Sequence, residues 1–118
     1  MALIVHNVAK RVAKWMRAGH QVVVVPSAMS GETNRLLGLA KDINPDANPR
    51  ELDQIASTGE QVSSGLLALA LLREGVDAVS YAGWQVTVHT DSSFTKARIK
   101  SIDDKKILAD LNAGRAVV

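Results

Sequence analysis

Residues 21–37 read Q-V-V-V-V-P-S-A-M-S-G-E-T-N-R-L-L. This stretch narrows the fold more than any other. Four successive valines, Val22 to Val25, read as a strand buried on both faces, because β-branched side chains suit a packed, pleated surface. Pro26 has no N–H for a ladder, so pairing should stop there. Small and polar residues follow, and then Leu36, Leu37, Leu39 and Ala40 take helical spacing. Strand, small-residue loop and helix is the layout of an α/β ligand site. In open parallel sheets, ligands sit beyond the carboxyl ends of the strands. Loop N–H groups and a helix start favour an anion there.

The rest of the chain alternates strands with helices. Residues 2–5 read as a strand that passes into an amphipathic helix over residues 7–18, with Asn7 as a possible N-cap. Val8, Val12, Trp15 and Met16 share the inward face of that helix, and Lys10, Arg11, Lys14 and Arg17 the outward one. Residues 20–25 are the second strand, and a helix runs from about 31 to 43. The N-P-D-A-N-P turn at 44–49 leads to a short helix over 50–56 and a longer one over 57–74. Val62, Leu66, Leu69 and Leu72 are expected to line the longer helix, with Leu67 and Leu71 beside them. Strands are expected at 76–81, 86–88, 94–99 and from 115 onward, with a helix over 103–112. Gly19, Gly75 and Gly114 stand where helices should end. The pattern predicts one domain over residues 1–118, an α/β fold of three layers: an open, mostly parallel sheet with helices on both faces.

Composition excludes several function classes. The 118 residues are 47% hydrophobic and 3% aromatic, with 14 basic and 12 acidic side chains. A net charge of +2 gives no electrostatic case for nucleic acid. Without cysteine there is neither a disulfide framework nor a thiolate metal site. The start is too short and too uncharged for a signal peptide, and no apolar run reaches transmembrane length. A cytoplasmic protein without membrane or nucleic-acid partners is expected.

Four stretches together resemble aspartate kinases of the amino-acid kinase superfamily. They are V-V-V-V-P-S-A-M-S-G-E-T-N-R-L-L (22–37), R-E-L-D-Q-I-A-S-T-G-E-Q-V-S (50–63), G-W-Q-V (83–86) and F-T-K-A-R-I (94–99). The resemblance implies a partial amino-acid kinase fold carrying the amino-acid-binding half. It also implies phosphoryl transfer from MgATP to the side-chain carboxylate of L-aspartate, giving 4-phospho-L-aspartate, the entry to lysine, threonine and methionine synthesis. ATP and Mg2+ are the family's cofactors. Two departures stand out. The family's Lys-Phe/Tyr-Gly-Gly-Thr-Ser loop, which holds the nucleotide phosphates, is missing where His6 meets Asn7. The family's kinase domain also continues past the segment matching Val118, and its regulatory domains have no counterpart here. A truncated, internally deleted form with little or no activity alone is therefore expected. Self-association through an exposed sheet edge at residues 115–118 is expected as well.

Each candidate site residue has a plainer reading. Ser27, Ser30 and Thr33 flank Gly31 and read as a hydroxyl cradle for carboxylates, or as N-caps of the following helix. The resemblance implies aspartate contacts for Ser27 and Thr33. Glu60 completes an S-x-x-E capping box with Ser57, and the resemblance gives it instead the substrate ammonium. We expect Thr33 and Glu60 on one rim with Ser27 beside them. No residue is assigned a catalytic role and the nucleotide-binding residues stay unassigned. His6, His20 and His89 lack metal-ligand spacing. The basic stripe of Lys10, Arg11, Lys14 and Arg17 reads as a solvated face. Lys96 and Arg98 alternate on an expected strand, as an edge-strand charge pair or an anion site. Trp15 and Trp84 read as packing residues. The competing class is a non-catalytic vestigial or protein-binding α/β module.

Overall fold

The computed structural model describes residues 2–118. The helices are α1 (Ala2–Arg17), α2 (Glu32–Ile43), α3 (Pro49–Arg73) and α4 (Lys105–Asn112). The strands are β1 (Ala78–Val79), β2 (Val88–Thr90), β3 (Ile99–Ile102) and β4 (Ala116–Val117). β1 pairs parallel with β4, in register Ala78 to Ala116 and Val79 to Val117. On the other side of β4, a parallel bridge joins Val23 to Val117. Val24 N–H donates to the Val117 carbonyl at 2.8 Å, and Val117 N–H to Val22 at 3.2 Å. β4 is therefore the central strand of a short parallel ladder. β2 and β3 form a separate antiparallel pair with an irregularity between His89 and Thr90. The result is a mixed α/β fold with a mostly parallel sheet and packed helices.

The core forms where α1 and α3 meet the sheet. Ala9 and Val12 of α1, Leu67, Ala68, Ala70 and Leu71 of α3, and Ala116 and Val118 make one buried cluster. Alanines let the helix backbones approach closely, and Leu71 fills the centre with no exposed surface. Burying one leucine fully is worth about 1.5–3 kcal/mol. Glycines end the helices as anticipated, with Gly19 at φ 95°, Gly75 at φ 83° and Gly114 at φ 85°.

Several expectations are corrected. Residues 2–5 are not a strand but the first turn of α1, and Asn7 lies in the second turn rather than at a cap. A strand needs a neighbour and a loop before it can hand over to a helix that packs back on it. With neither present, Ala2 and Leu3, both good helix formers, continue the helix. The four-valine run is an edge, not a strand buried on both faces: Val25 is 90% exposed. The expected break near residue 57 is also absent. Asn48 caps α3, its side chain accepting from Arg50 N–H at 2.9 Å, and the helix runs on for 25 residues. Ser57 and Thr58 donate to the Gln54 and Ile55 carbonyls at 2.9 and 2.7 Å, so these hydroxyls are satisfied inside the helix.

At this length α3 is, by length and composition alone, apolar enough to cross a membrane. Here one of its sides packs on α1 and the sheet, as in a core helix. The packed side is only partly the expected one: Leu67 and Leu71 are buried, but the four residues expected to line the helix are not. Gly59, Ser63, Leu67, Ala70 and Leu71 are buried, whereas Val62, Leu66, Leu69 and Leu72 are exposed. On α1, Ala9, Val12 and Ala13 are buried, while Val8 and Trp15 are exposed. Small residues took the interface because they permit the closest approach. Residues 94–98 are irregular rather than a strand, and β3 begins only at Ile99. Finally, residues 115–118 are not an open edge. β4 is bonded on both sides, and among the described residues the outer members of the ladder are residues 22–24 and β1.

Candidate amino-acid site

An open cavity of about 600 Å³ lies at the carboxyl ends of the parallel strands. Its wall comprises Val25 and Pro26 from the edge segment, Tyr81 to Gly83 just after β1, and Val118 just after β4. This is where open parallel sheets place ligands. From α3 it receives Ser57, Glu60, Gln61 and Ser64, which share one helix face by their spacing. Apolar Val86, Val88, Ile102 and Ile107 complete it. Among the described lining residues Glu60 carries the one formal charge.

The loop after Pro26 is brought to Glu60 by a close contact. A Cβ built on Gly59 would lie 2.9 Å from Ala28 Cβ, 3.7 Å from Glu32 Cγ and 3.8 Å from Leu36 Cδ1. Only glycine lets the loop and the first turns of α2 rest on α3 there. Ser27, preceding Ala28, is exposed; Thr33, following Glu32, and Glu60, following Gly59, are both half-buried. All three candidates thus flank one junction. Glu60 lines the cavity, whereas Ser27 and Thr33 do not.

The plainer readings of these residues fail in the structure. Gly31, with φ 78°, occupies the cap position before α2, and the helix receives no side-chain cap, so neither Ser30 nor Thr33 is spent as one. Ser57 and Glu60 lie inside α3, far from its start at Pro49, so no capping box forms. The neighbouring acid is already engaged. Arg35 donates to both Glu32 carboxylate oxygens, at 3.0 and 2.6 Å, and this hydrogen bonding holds the Glu32 carboxyl below its ordinary range. No basic side chain among the described residues pairs with Glu60. Glu60 is therefore the carboxylate left free to receive a cation.

One buried polar group escaped sequence reasoning. Tyr81, in the cavity wall, donates its hydroxyl to Asp110 Oδ2 of α4. Arg115 donates to Asp110 Oδ1 at 2.9 Å and to Asp77 Oδ2 at 3.1 Å. The Tyr81 bond, and then Arg115, hold the Asp110 carboxyl below the ordinary carboxylate range against the opposing effect of burial. The same bond raises the Tyr81 phenol, with burial and the Asp110 charge adding to it. These residues tie α4 and the starts of β1 and β4 to the cavity wall. Their separation along the chain left no local pattern to find.

The remaining candidates stay apart. Lys96 and Arg98 lie in the irregular segment before β3 and are exposed, so they do not form an edge-strand pair. Trp15 is packed edge-on against His20, with ring centroids 5.1 Å apart. His6 and Asn7 lie within α1, where backbone N–H groups bond along the helix. This junction offers no glycine amides and no lysine, so it does not fit nucleotide phosphates.

Residues 2–118 match the amino acid kinase family. The chain belongs to that family. It is 60% identical to an aspartokinase of Pseudomonas aeruginosa over 114 residues, which are 97% of this chain and 28% of that protein. It is 49% identical to an aspartokinase of Helicobacter pylori over the same shares. The chain thus spans a little over a quarter of the length of these relatives. The family fold is also seen in the crystal structure of an aspartate kinase from Synechocystis, with a TM-score of 0.84 and 35% identity, covering all of this chain and 19% of that one.

Proposed function

We propose that this chain forms the amino-acid-binding part of an aspartate kinase, with L-aspartate as the ligand of the cavity at the strand ends. One observation carries the reading: a single unpaired carboxylate, Glu60, lines an otherwise uncharged cavity, on the helix against which the segment bearing Ser27 and Thr33 packs at Gly59. An α-ammonium needs a carboxylate partner, and a low-dielectric wall strengthens that attraction. In this reading Glu60 receives the ammonium, and the hydroxyls of Thr33 and Ser27 donate to the substrate's carboxylates. A carboxylate is already a competent nucleophile, so the acceptor needs no general base. Positioning is then the contribution expected of this chain. The resemblance to aspartokinases supports ATP and Mg2+ as the family's co-substrate and metal, but the His6–Asn7 junction supplies no phosphate cradle. We therefore propose little or no turnover by the chain alone, and a cytoplasmic setting on the resemblance. Self-association is proposed through the outer edge of the ladder at residues 22–24, which a clean monomer at high concentration in light scattering would refute.

The second reading is a non-catalytic α/β module, favoured by the helical state of His6 and Asn7. Titration with L-aspartate, followed by NMR, separates the two. Weak saturable binding that Glu60→Gln abolishes supports the amino-acid site, and its absence supports the alternative. Turnover is read separately by trapping the acyl phosphate as its hydroxamate with added MgATP. Product formed in proportion to added chain and lost in Glu60→Ala would overturn the proposal of inactivity.

A further inference from the structure

The cavity at the strand ends has its polar side chains gathered on α3, where Ser57, Glu60, Gln61 and Ser64 line it, and at Tyr81. Two of these are already engaged. The Ser57 hydroxyl donates to the Gln54 carbonyl at 2.9 Å, and the Tyr81 hydroxyl donates to Asp110. The other side chains of the lining are aliphatic. Val88 and Ile102 are direct partners in the β2–β3 pair. Such partners stand on one face with their Cβ atoms about 5 Å apart, and both line the cavity. Val86 and Ile107 of α4 add to this apolar surface. Among the described residues no basic side chain lines the cavity. Lys106, beside Ile107, donates to the Gln85 carbonyl at 3.0 Å, and Arg115 is held by Asp110 and Asp77.

A carboxylate and an aliphatic wall together select a class of ligand. An ammonium finds a charged partner in Glu60, and a low-dielectric wall strengthens that attraction. Each methylene moved from water onto an apolar wall tightens binding by about fourfold. A ligand carboxylate finds no cation in the lining. We propose that the cavity binds small primary ammonium ligands with an aliphatic body, the ammonium on Glu60 and the body on the surface formed by Val86, Val88, Ile102 and Ile107. A cavity of about 600 Å³ is large enough to take such a ligand whole. The inference rests on the proposed reading of Glu60 as an ammonium acceptor and adds an apolar subsite to it. The side chain of L-aspartate is itself a carboxylate and gains nothing from that subsite.

NMR titration of the chain near neutral pH tests this, because alkylamines, like the lysine side chain with its pKa of about 10.4, are cationic there. Isopentylammonium should bind at least about tenfold more tightly than methylammonium, with shifts at Val88 and Ile102 as well as at Glu60. Isopentyl alcohol has the same body without the charge and should bind about tenfold more weakly than isopentylammonium. Glu60→Gln should remove that difference. Ile102→Thr keeps a β-branched residue at an exposed strand position and should shrink the ratio between the two ammonium ligands. The ligand series is read on the unmodified chain, so it decides even where a variant unfolds. Equal affinity for the two ammonium ligands, or for isopentylammonium and the alcohol, would overturn the subsite. L-Aspartate titrated in parallel keeps the two readings apart. Aspartate bound through Glu60 with no gain from an aliphatic body overturns the subsite and leaves the amino-acid reading standing. Isopentylammonium bound as described and aspartate unbound does the reverse. Binding of neither overturns both.

Discussion

The α1–α3 interface and the cavity at the strand ends are both walled mainly by aliphatic residues, but they differ in side-chain size. At the interface alanines, Ala9 on α1 and Ala68 and Ala70 on α3, are interleaved with Val12, Leu67 and a fully sealed Leu71. Backbones meet, and nothing is left over for a ligand. Around the cavity the residues are larger and splayed, with Val23 and Val25 exposed and Val86 and Val117 buried behind them. Space remains, and one carboxylate faces it. Apolar content alone thus decides neither burial nor site. Side-chain size at the point of closest approach decides which pair of elements closes and which stays open.

The contrast can be broken first at its most buried point. Leu71→Ala should cost about 2–5 kcal/mol in chemical denaturation, as a cavity in a packed core does. Leu69→Ala, on the exposed side of the same helix, should stay within about 0.5 kcal/mol. Equal losses would mean that α3 buries both faces. The next test lies where the two regions touch. Gly59→Ala drives a methyl to within 2.9 Å of Ala28 and should cost about 1–3 kcal/mol by overpacking. It should also disturb the Ser27–Thr33 loop. Gly65→Ala, with nothing within 4 Å, should be neutral or stabilising by up to about 1 kcal/mol. A tolerated Gly59→Ala would show that the loop does not rest on α3.

The smallest expected effect is a pH trend at the cavity wall. The folded Asp110 carboxyl is depressed, first by the Tyr81 hydroxyl, so it binds its proton less readily than in the unfolded chain. Its contribution is full above the unfolded value of about 3.9 and fades as pH falls through the lower folded one. Asp110→Asn should therefore be less stable than the parent near neutrality, with the gap narrowing below about pH 4. A gap that does not change with pH would mean that the Tyr81–Asp110–Arg115 network is not charged as described.

Much of this was legible in the sequence because it is local. Gly19, Gly75 and Gly114 marked helix ends, and Pro26 marked the end of pairing, because each acts within one or two residues. Ser27, Thr33 and Glu60 were singled out from a strand, a loop and the S-T-G-E stretch, and packing at Gly59 brings their segments to one junction. Other features needed the third dimension. Leu66 and Leu67 are equal in composition, and only the approach of Ala9 and Ala13 decides which is buried. Residues 2–5 have strand-like content, but strand formation depends on a partner, and none is offered. Asp77, Tyr81, Asp110 and Arg115 share no spacing that a linear pattern could reveal.

The placement of β4 has a consequence for how the chain reaches its native state. The central strand of the parallel ladder comes from residues 116–117, while its two neighbours come from residues 22–24 and 78–79. Val23 and Val117 lie almost a full chain length apart, and closing so long a loop delays the contacts that reward it. During synthesis α1, α2 and α3 can all emerge and pair before any of the ladder exists. Until β4 arrives, Val22, Val24 and Ala78 have no strand to bond, and their apolar side chains face solvent. The parallel ladder, and the part of the cavity wall at Val117 and Val118, therefore depends on residues far apart in the chain and can form only once β4 is in place.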